Sequence, residues 1–156
     1  DRGEPPWLLL LDCLQDPQNL GTLLRTAEVL GVHGLVLPER RSAGVTPAVV
    51  SASSGASEHA RIVRVTNLAR TIQELQERKI WVVGLEAVPG ATQLWQADLR
   101  GPLALVVGSE GQGMRRLVRE TCDYVVELPM RGKINSLNAA VAGSVVLYEA
   151  ARQRWS

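Results

Sequence analysis

No apolar run in this 156-residue chain reaches the roughly 18 residues that a membrane-spanning helix needs. Cysteine is nearly absent. Cys13 and Cys122 are the only two, and they lie far apart with no C-x-x-C pair. That excludes a disulfide framework and a cysteine metal site, and it predicts reduced thiols and a cytoplasmic protein. Histidine is as scarce. His33 and His59 have no partners at ligand spacing, so a zinc site or a Ser-His-Asp triad is excluded and no metal is expected. An excess of one charge is missing too: 17 basic against 16 acidic residues leave a net charge of +1. A protein gripping nucleic acid by charge alone would be far more basic, so weak intrinsic RNA affinity is expected. Internal repeats and low-complexity segments are also lacking.

What is present is the pattern of an ordinary single domain, 46% hydrophobic and 21% charged. The polar start Asp1-Arg2-Gly3-Glu4-Pro5-Pro6 has no signal-peptide core. Residues 1–6 are expected to be a linker ahead of one domain over 7–156, with further sequence upstream. Apolar runs of strand length then alternate with helical patterns. The expected strands are Trp7 to Leu11, Gly34 to Pro38, Ile62 to Val65, Ile80 to Leu85, Leu103 to Val107 and Tyr124 to Leu128. Helices are expected from Asn19 to Leu30, from Asn67 to about Arg78, from Met114 to Glu120 and from about Ser136 to Arg152, with Thr46 to Ser57 a helix or loop. Such alternation predicts an α/β fold, a mostly parallel sheet with helices on both faces. In the last helix Leu137, Ala140, Val141, Ser144, Tyr148, Ala151 and Trp155 form one stripe, and Ala139, Ala142, Val146 and Ala150 make the opposite side apolar as well. A surface helix should keep a polar face. This one is expected to pack on its own sheet with one side and on a partner chain with the other, and Val146→Glu or Ala150→Glu would test it.

Three segments place polar residues where loops leave strands, the position at which open α/β sheets bind ligands. The first is Asp16-Pro17-Gln18-Asn19-Leu20-Gly21 with Arg25-Thr26-Ala27 beyond it. A turn and a helix cap account for Asp16, Pro17 and Asn19 but not for Arg25, which could converge with Asn19 at the strand end. The second is Val107-Gly108-Ser109-Glu110-Gly111-Gln112-Gly113. It is neither a P-loop nor a dinucleotide fingerprint. A tight turn would explain its glycines but not the carboxylate of Glu110. The third runs Leu128-Pro129-Met130 to Ser136-Leu137-Asn138, with Ser136 or Asn135 as a helix cap and Asn138 in the first helical turn. Together these offer a cation, a carboxylate, amides and a hydroxyl, with no nucleophile–base pair. The set suits transfer from an already activated donor better than hydrolysis. Basic clusters at Arg40-Arg41, Arg115-Arg116 with Arg119, and Arg131 with Lys133 read as solvated faces unless a motif adjoins them.

In order, spacing and context the three segments resemble the signature motifs of the TrmH/SpoU branch of the SPOUT methyltransferases: N-x-G-x-x-x-R-[ST]-A, then V-x-G-x-E-G-x-G, then L-P-M followed by S-L-N. The flanking Arg64-Val65-Thr66-Asn67-Leu68-Ala69-Arg70-Thr71 and Gly113-Met114-Arg115-Arg116-Leu117 resemble the RlmB-type subgroup, which methylates a guanosine ribose in 23S rRNA. The resemblance covers essentially the whole chain. It implies a SPOUT-type α/β knot, with a deep trefoil near the C-terminus, and a homodimer. It implies S-adenosyl-L-methionine as cofactor and RNA, most specifically 23S rRNA, as partner. It implies a missing N-terminal RNA-binding domain. The donor is expected against Leu85, Glu86, Gly108, Leu128, Met130 and Leu137. The catalytic set is Arg25, Asn19, Glu110, Ser136 and Asn138. The family gives Arg25 the role of base. A guanidinium is effectively always protonated, so binding a phosphate and stabilising the developing alkoxide is an equally physical role. A tRNA ribose 2′-O-methyltransferase and a non-catalytic RNA-binding module that keeps the fold are the competing readings.

Overall fold

Alternate side chains of an extended strand face opposite ways, and here that sorts the apolar runs onto two faces of one sheet. The computed structural model describes residues 3–40, 46–56, 61–109, 112–134 and 136–156. The strands are β1 (Trp7–Asp12), β2 (Gly34–Pro38), β3 (Ile62–Val65), β4 (Trp81–Leu85), β5 (Thr92–Gln93), β6 (Leu103–Gly108) and β7 (Tyr124–Glu127). The helices are α1 (Pro17–Leu30), α2 (Pro47–Ser53), α3 (Leu68–Glu77), α4 (Arg116–Thr121) and α5 (Ala139–Arg154). Among the described residues the seven strands form one sheet in the order β3-β2-β1-β6-β4-β7-β5, and every pairing between them is parallel.

Trp7, Leu9 and Leu11 of β1 and Leu103, Leu105 and Val107 of β6 face one layer, built from α1 and α5. Leu10, Ala104 and Val106 face the other, built on Leu68, Ala69 and Ile72 of α3 and Val118 of α4. Helices therefore cover both faces, as the unbroken apolar strands require. Gly21 of α1 is a packing residue, since a Cβ there would overlap Ala52 of α2. The expected linker is anchored: Leu103 donates its backbone N–H to Pro6 at 2.9 Å, and Arg154 donates to Pro5 and Gly101 while lying over the Trp7 ring.

Helix starts differ from expectation where capping chemistry decides them. Helix α1 begins at Pro17, not Asn19, because the Asp16 side chain accepts from Gln18 N and Pro17 suits the first turn. Helix α5 begins at Ala139 rather than about Ser136. Asn138, not Ser136 or Asn135, is its N-cap, accepting from Ala140 N at 2.9 Å and Val141 N at 3.1 Å. Strand β5 escaped sequence reading: two residues, Thr92 and Gln93, with no apolar run. The two sides of α5 also resolve. Val146 and Ala150, expected as test positions for a partner, are each 1% exposed and belong to the chain's own core, whereas Val141, Val145 and Tyr148 are exposed. Among the described residues no helix is long and apolar enough to cross a membrane.

Candidate active site

Strand order reverses direction from β1, with β2 on one side and β6 on the other. The loops leaving the carboxyl ends of β1, β4, β6 and β7 meet there, and between them lie two cavities. The β1-side cavity, about 560 Å³, is lined by Cys13 to Asp16, Asn19 and Met114-Arg115. The β7-side cavity, about 360 Å³, is lined by Leu85 to Ala87, Val107-Gly108, Glu127-Leu128, Met130, Ser136-Leu137 and the start of α5. Ser109, Gln112 and Gly113 line both and form the shared wall.

That wall is a tight pinch. Ser109 N donates to Gly113 O at 3.2 Å, and Gly113 N donates back to Ser109 O at 2.7 Å. Gly108 is required there, because a Cβ would overlap the Gly113 backbone, and Gly113 itself has φ +68°. Two carboxylates tie down the chain that leaves the pinch. Glu86, after β4, accepts from Met114 N at 2.7 Å and pairs with Arg119 at 2.9 Å. Asp12, the last residue of β1 and fully buried, accepts from Arg115 N at 2.7 Å and from Arg115 Nε at 2.8 Å, with Nη2 at 2.7 Å. The Asp12 hydrogen bond raises the Arg115 pKa above its ordinary value and keeps the guanidinium charged.

All six residues expected to hold a donor (Leu85, Glu86, Gly108, Leu128, Met130 and Leu137) line the β7-side cavity, and Ser136 joins them. The Glu86 side chain has the further task of clamping the pinch. Asn19 is 7% exposed and lines the β1-side cavity. The cap contacts of Asn138 fix its Oδ1 on the α5 backbone. Arg25 lines neither cavity. It is exposed and donates to Ser54 Oγ at 3.1 Å. The expected convergence of Asn19 and Arg25 is absent, because six residues along a helix turn the side chain about 240° past it. Glu110, Arg41, His59 and Asn135 lie outside the described residues. His33 is structural: its Nδ1 accepts the Trp7 N–H at 2.9 Å.

The basic cluster at the start of α4 and along it is not a free patch. Arg115 pairs with Asp12, Arg116 with Glu120 and Arg119 with Glu86. The Asp12–Arg115 pair escaped sequence reading, although a signal existed. Asp12 ends a continuous apolar strand, and an aspartate buried there needs a partner.

A model of the SpoU rRNA Methylase family matches residues 6–148. The chain is 52% identical over 155 residues to a 23S rRNA (guanosine-2′-O-)-methyltransferase of Pseudomonas syringae pv. tomato, covering 99% of this chain and 62% of that protein. It spans about three fifths of the curated relatives it matches. Among solved structures, a SpoU methyltransferase from Streptomyces viridochromogenes in complex with AdoMet superposes with a TM-score of 0.87 at 34% identity, over 96% of this chain and 61% of that one. A structure concerned with 2-OH methylation of C/U34 on tRNA superposes with a TM-score of 0.83 at 30% identity, over 97% of both chains.

Proposed function

The chain belongs to the SpoU rRNA methylase family, and on that premise we propose that it methylates a ribose 2′-hydroxyl of RNA from S-adenosylmethionine, the target being a guanosine in 23S rRNA and the compartment the cytoplasm. The observation that carries this reading is the gathering of all six expected donor residues around one cavity. The cavity also suits the donor chemically. Leu85, Leu128, Met130 and Leu137 offer aliphatic surface to a flat adenine, and Gly108 lines the cavity without a side chain. When bound, the donor supplies a methyl group already activated on a sulfonium.

The chain's own part is alignment and charge. The β1-side cavity takes the acceptor ribose, and Asn19 offers it an amide from a buried position. Correct alignment of the hydroxyl contributes up to about 7–11 kcal/mol in favourable cases. Arg25 stabilises the alkoxide as it develops. Its bond to Ser54 is exposed and exchanging it costs about 1 kcal/mol, so Arg25 of this chain or of a partner can turn to the acceptor. Ser136, Asn138 and Glu110 hold the ribose and the guanidinium in place.

Homodimerisation and the trefoil knot belong to the same proposal. Support for the dimer is the exposed apolar row Val141, Val145 and Tyr148 on α5. Tyr148→Glu should give a monomer by light scattering. Val146→Glu should instead unfold the subunit, since it buries an unpaired carboxylate. Should the unsubstituted chain be monomeric at micromolar concentration, the dimer is wrong. The knot is tested by stretching the chain from both ends, where a knotted chain stops short of its full contour length.

Titration with S-adenosylhomocysteine, with ATP and NAD as controls, tests the donor. Methyl transfer to total RNA, followed by mapping of 2′-O-methyl sites, tests the acceptor. A signal confined to tRNA would favour the second reading, which rests on the tRNA-related structure of nearly the same extent.

A further inference from the structure

Arg115, the residue at the N-cap of α4, is held differently from the cations of that helix. Asp12 is 0% exposed, yet the Arg115 side chain remains 42% exposed and lines the β1-side cavity. Both Asp12 oxygens are directed to it: Oδ2 accepts the backbone N–H, and Oδ1 accepts Nε–H with Nη2 beside it at 2.7 Å in the ion pair. This occupies the inner edge of the guanidinium. The outer edge, both Nη1 hydrogens and the second Nη2 hydrogen, has no acceptor among the described residues. Arg116, one position on, pairs with Glu120 at the surface. Arg119 is turned to Glu86. Arg115 is thus the single cation lining this cavity among the described residues, and a buried carboxylate fixes its plane. A planar pair of donors presented in a fixed orientation matches the two oxygens of a phosphodiester. The same edge could meet the carboxylate of the methyl donor, but Arg115 does not line the β7-side cavity.

We propose that Arg115 anchors the acceptor strand by binding a backbone phosphate of the RNA beside the target nucleotide, with Asp12 as the positioning residue that presents its outer edge. The assignment rests on reading the chain as an RNA methyltransferase, and it adds the contact that holds the acceptor strand in register.

The test uses the full chain and an unmodified 23S rRNA transcript. RNA binding is measured across a salt series, methyl transfer across RNA concentration, and S-adenosylhomocysteine affinity by titration. Arg115→Gln should flatten the slope of log K against log salt by about 0.7–0.9, the value of one phosphate contact. It should also raise KM for RNA roughly ten- to hundredfold, the range of a charged hydrogen bond, while kcat and S-adenosylhomocysteine affinity hold. Arg115→Lys should keep the slope and lose part of the affinity, because it keeps the charge without the fork. It also serves if the glutamine variant folds poorly. Asp12→Asn should keep the slope and raise KM, with Arg115→Lys in that background adding little. Arg116→Gln is the charge-matched control and should change neither. The assignment is overturned by an unchanged slope in Arg115→Gln, by an equal loss in Arg116→Gln, or by an affinity loss without a slope change, which would mean a base contact. A parallel loss of S-adenosylhomocysteine affinity would assign Arg115 to the donor. Failure of the unsubstituted chain to bind S-adenosylhomocysteine or to methylate any RNA would be failure of the methyltransferase reading instead, and the salt series would still decide the phosphate contact.

Discussion

The two cavities share a wall but are built by opposite means. The β7-side cavity is made of backbone and aliphatic side chains carried by loops after β4, β6 and β7. Its shape follows from where the chain runs, so its sequence signature is local: a glycine loop and a Leu-Pro-Met turn. The β1-side cavity depends on a charged pair, Asp12 and Arg115, whose partners stand 103 residues apart. Nothing near either residue announces the other. A site defined by backbone course can be read from short motifs, whereas a site defined by a distant ion pair has to be seen folded.

Breaking the wall itself should produce the largest effect. Gly108→Val places a Cβ against the Gly113 backbone, so the two hydrogen bonds between Ser109 and Gly113 cannot both survive. Binding of S-adenosylhomocysteine should fall below calorimetric detection, while the far-ultraviolet circular dichroism of the sheet persists. Unaltered affinity in this variant would remove the donor from the β7-side cavity.

Arg25 comes next and tests whether chemistry reaches beyond what lines either cavity. If it stabilises the alkoxide, Arg25→Ala should slow methyl transfer roughly a hundred- to thousandfold, about 2.7–4 kcal/mol, the loss seen when one preorganised donor is removed. Affinity for S-adenosylhomocysteine should stay nearly intact. The structural alternative is that Arg25 only pins α2 to α1 through Ser54. Turnover would then fall only in proportion to unfolded protein, and the melting temperature would drop with it. Measuring both on one preparation separates the two. A stable, fully active Arg25→Ala would remove Arg25 from the catalytic set.

Most of the fold was legible because the signals are strong and local. Six of the seven strands among the described residues are short runs rich in apolar residues, interrupted by a charge within the run only at Arg64 of β3, and Asn67 caps α3 where its position before the helical pattern predicts. β5 was not legible, since Thr92 and Gln93 form a two-residue strand with no apolar run, held to β7 by parallel pairing and by the Gln93 amide donating to Glu127 at 2.6 Å. Helix starts shifted by two or three residues because several capping residues competed, and local geometry chose Asp16 over Asn19 and Asn138 over Ser136. For the site, the motifs named six residues that do line one cavity, but the placement of Arg25 was not legible. Spacing along a helix fixes an angle, and the angle between Asn19 and Arg25 points them apart. The apolar double face of α5 was legible as a composition, but which side meets the core depended on the sheet beneath it.

The smallest effect concerns the two thiols and distinguishes an open cavity from a core without changing any residue. Cys13 lines the β1-side cavity. Cys122 packs against the α3–α4 layer, and burial pushes its pKa up to about 12. The reactive form of a thiol is the thiolate. A rise from 9.0 to about 12 lowers the thiolate fraction near neutral pH on the order of a thousandfold. Iodoacetamide should therefore alkylate Cys13 well before Cys122, as peptide mapping by mass spectrometry would show. Ligands then sharpen the comparison. RNA in the β1-side cavity should slow alkylation of Cys13. S-adenosylhomocysteine in the β7-side cavity should slow it much less, because the wall of Ser109, Gln112 and Gly113 stands between the donor and the thiol. Equal protection by both ligands would mean that the wall moves when the donor binds and that the two cavities act as one. Equal reactivity of the two cysteines would mean that the α3–α4 layer opens on the timescale of labelling.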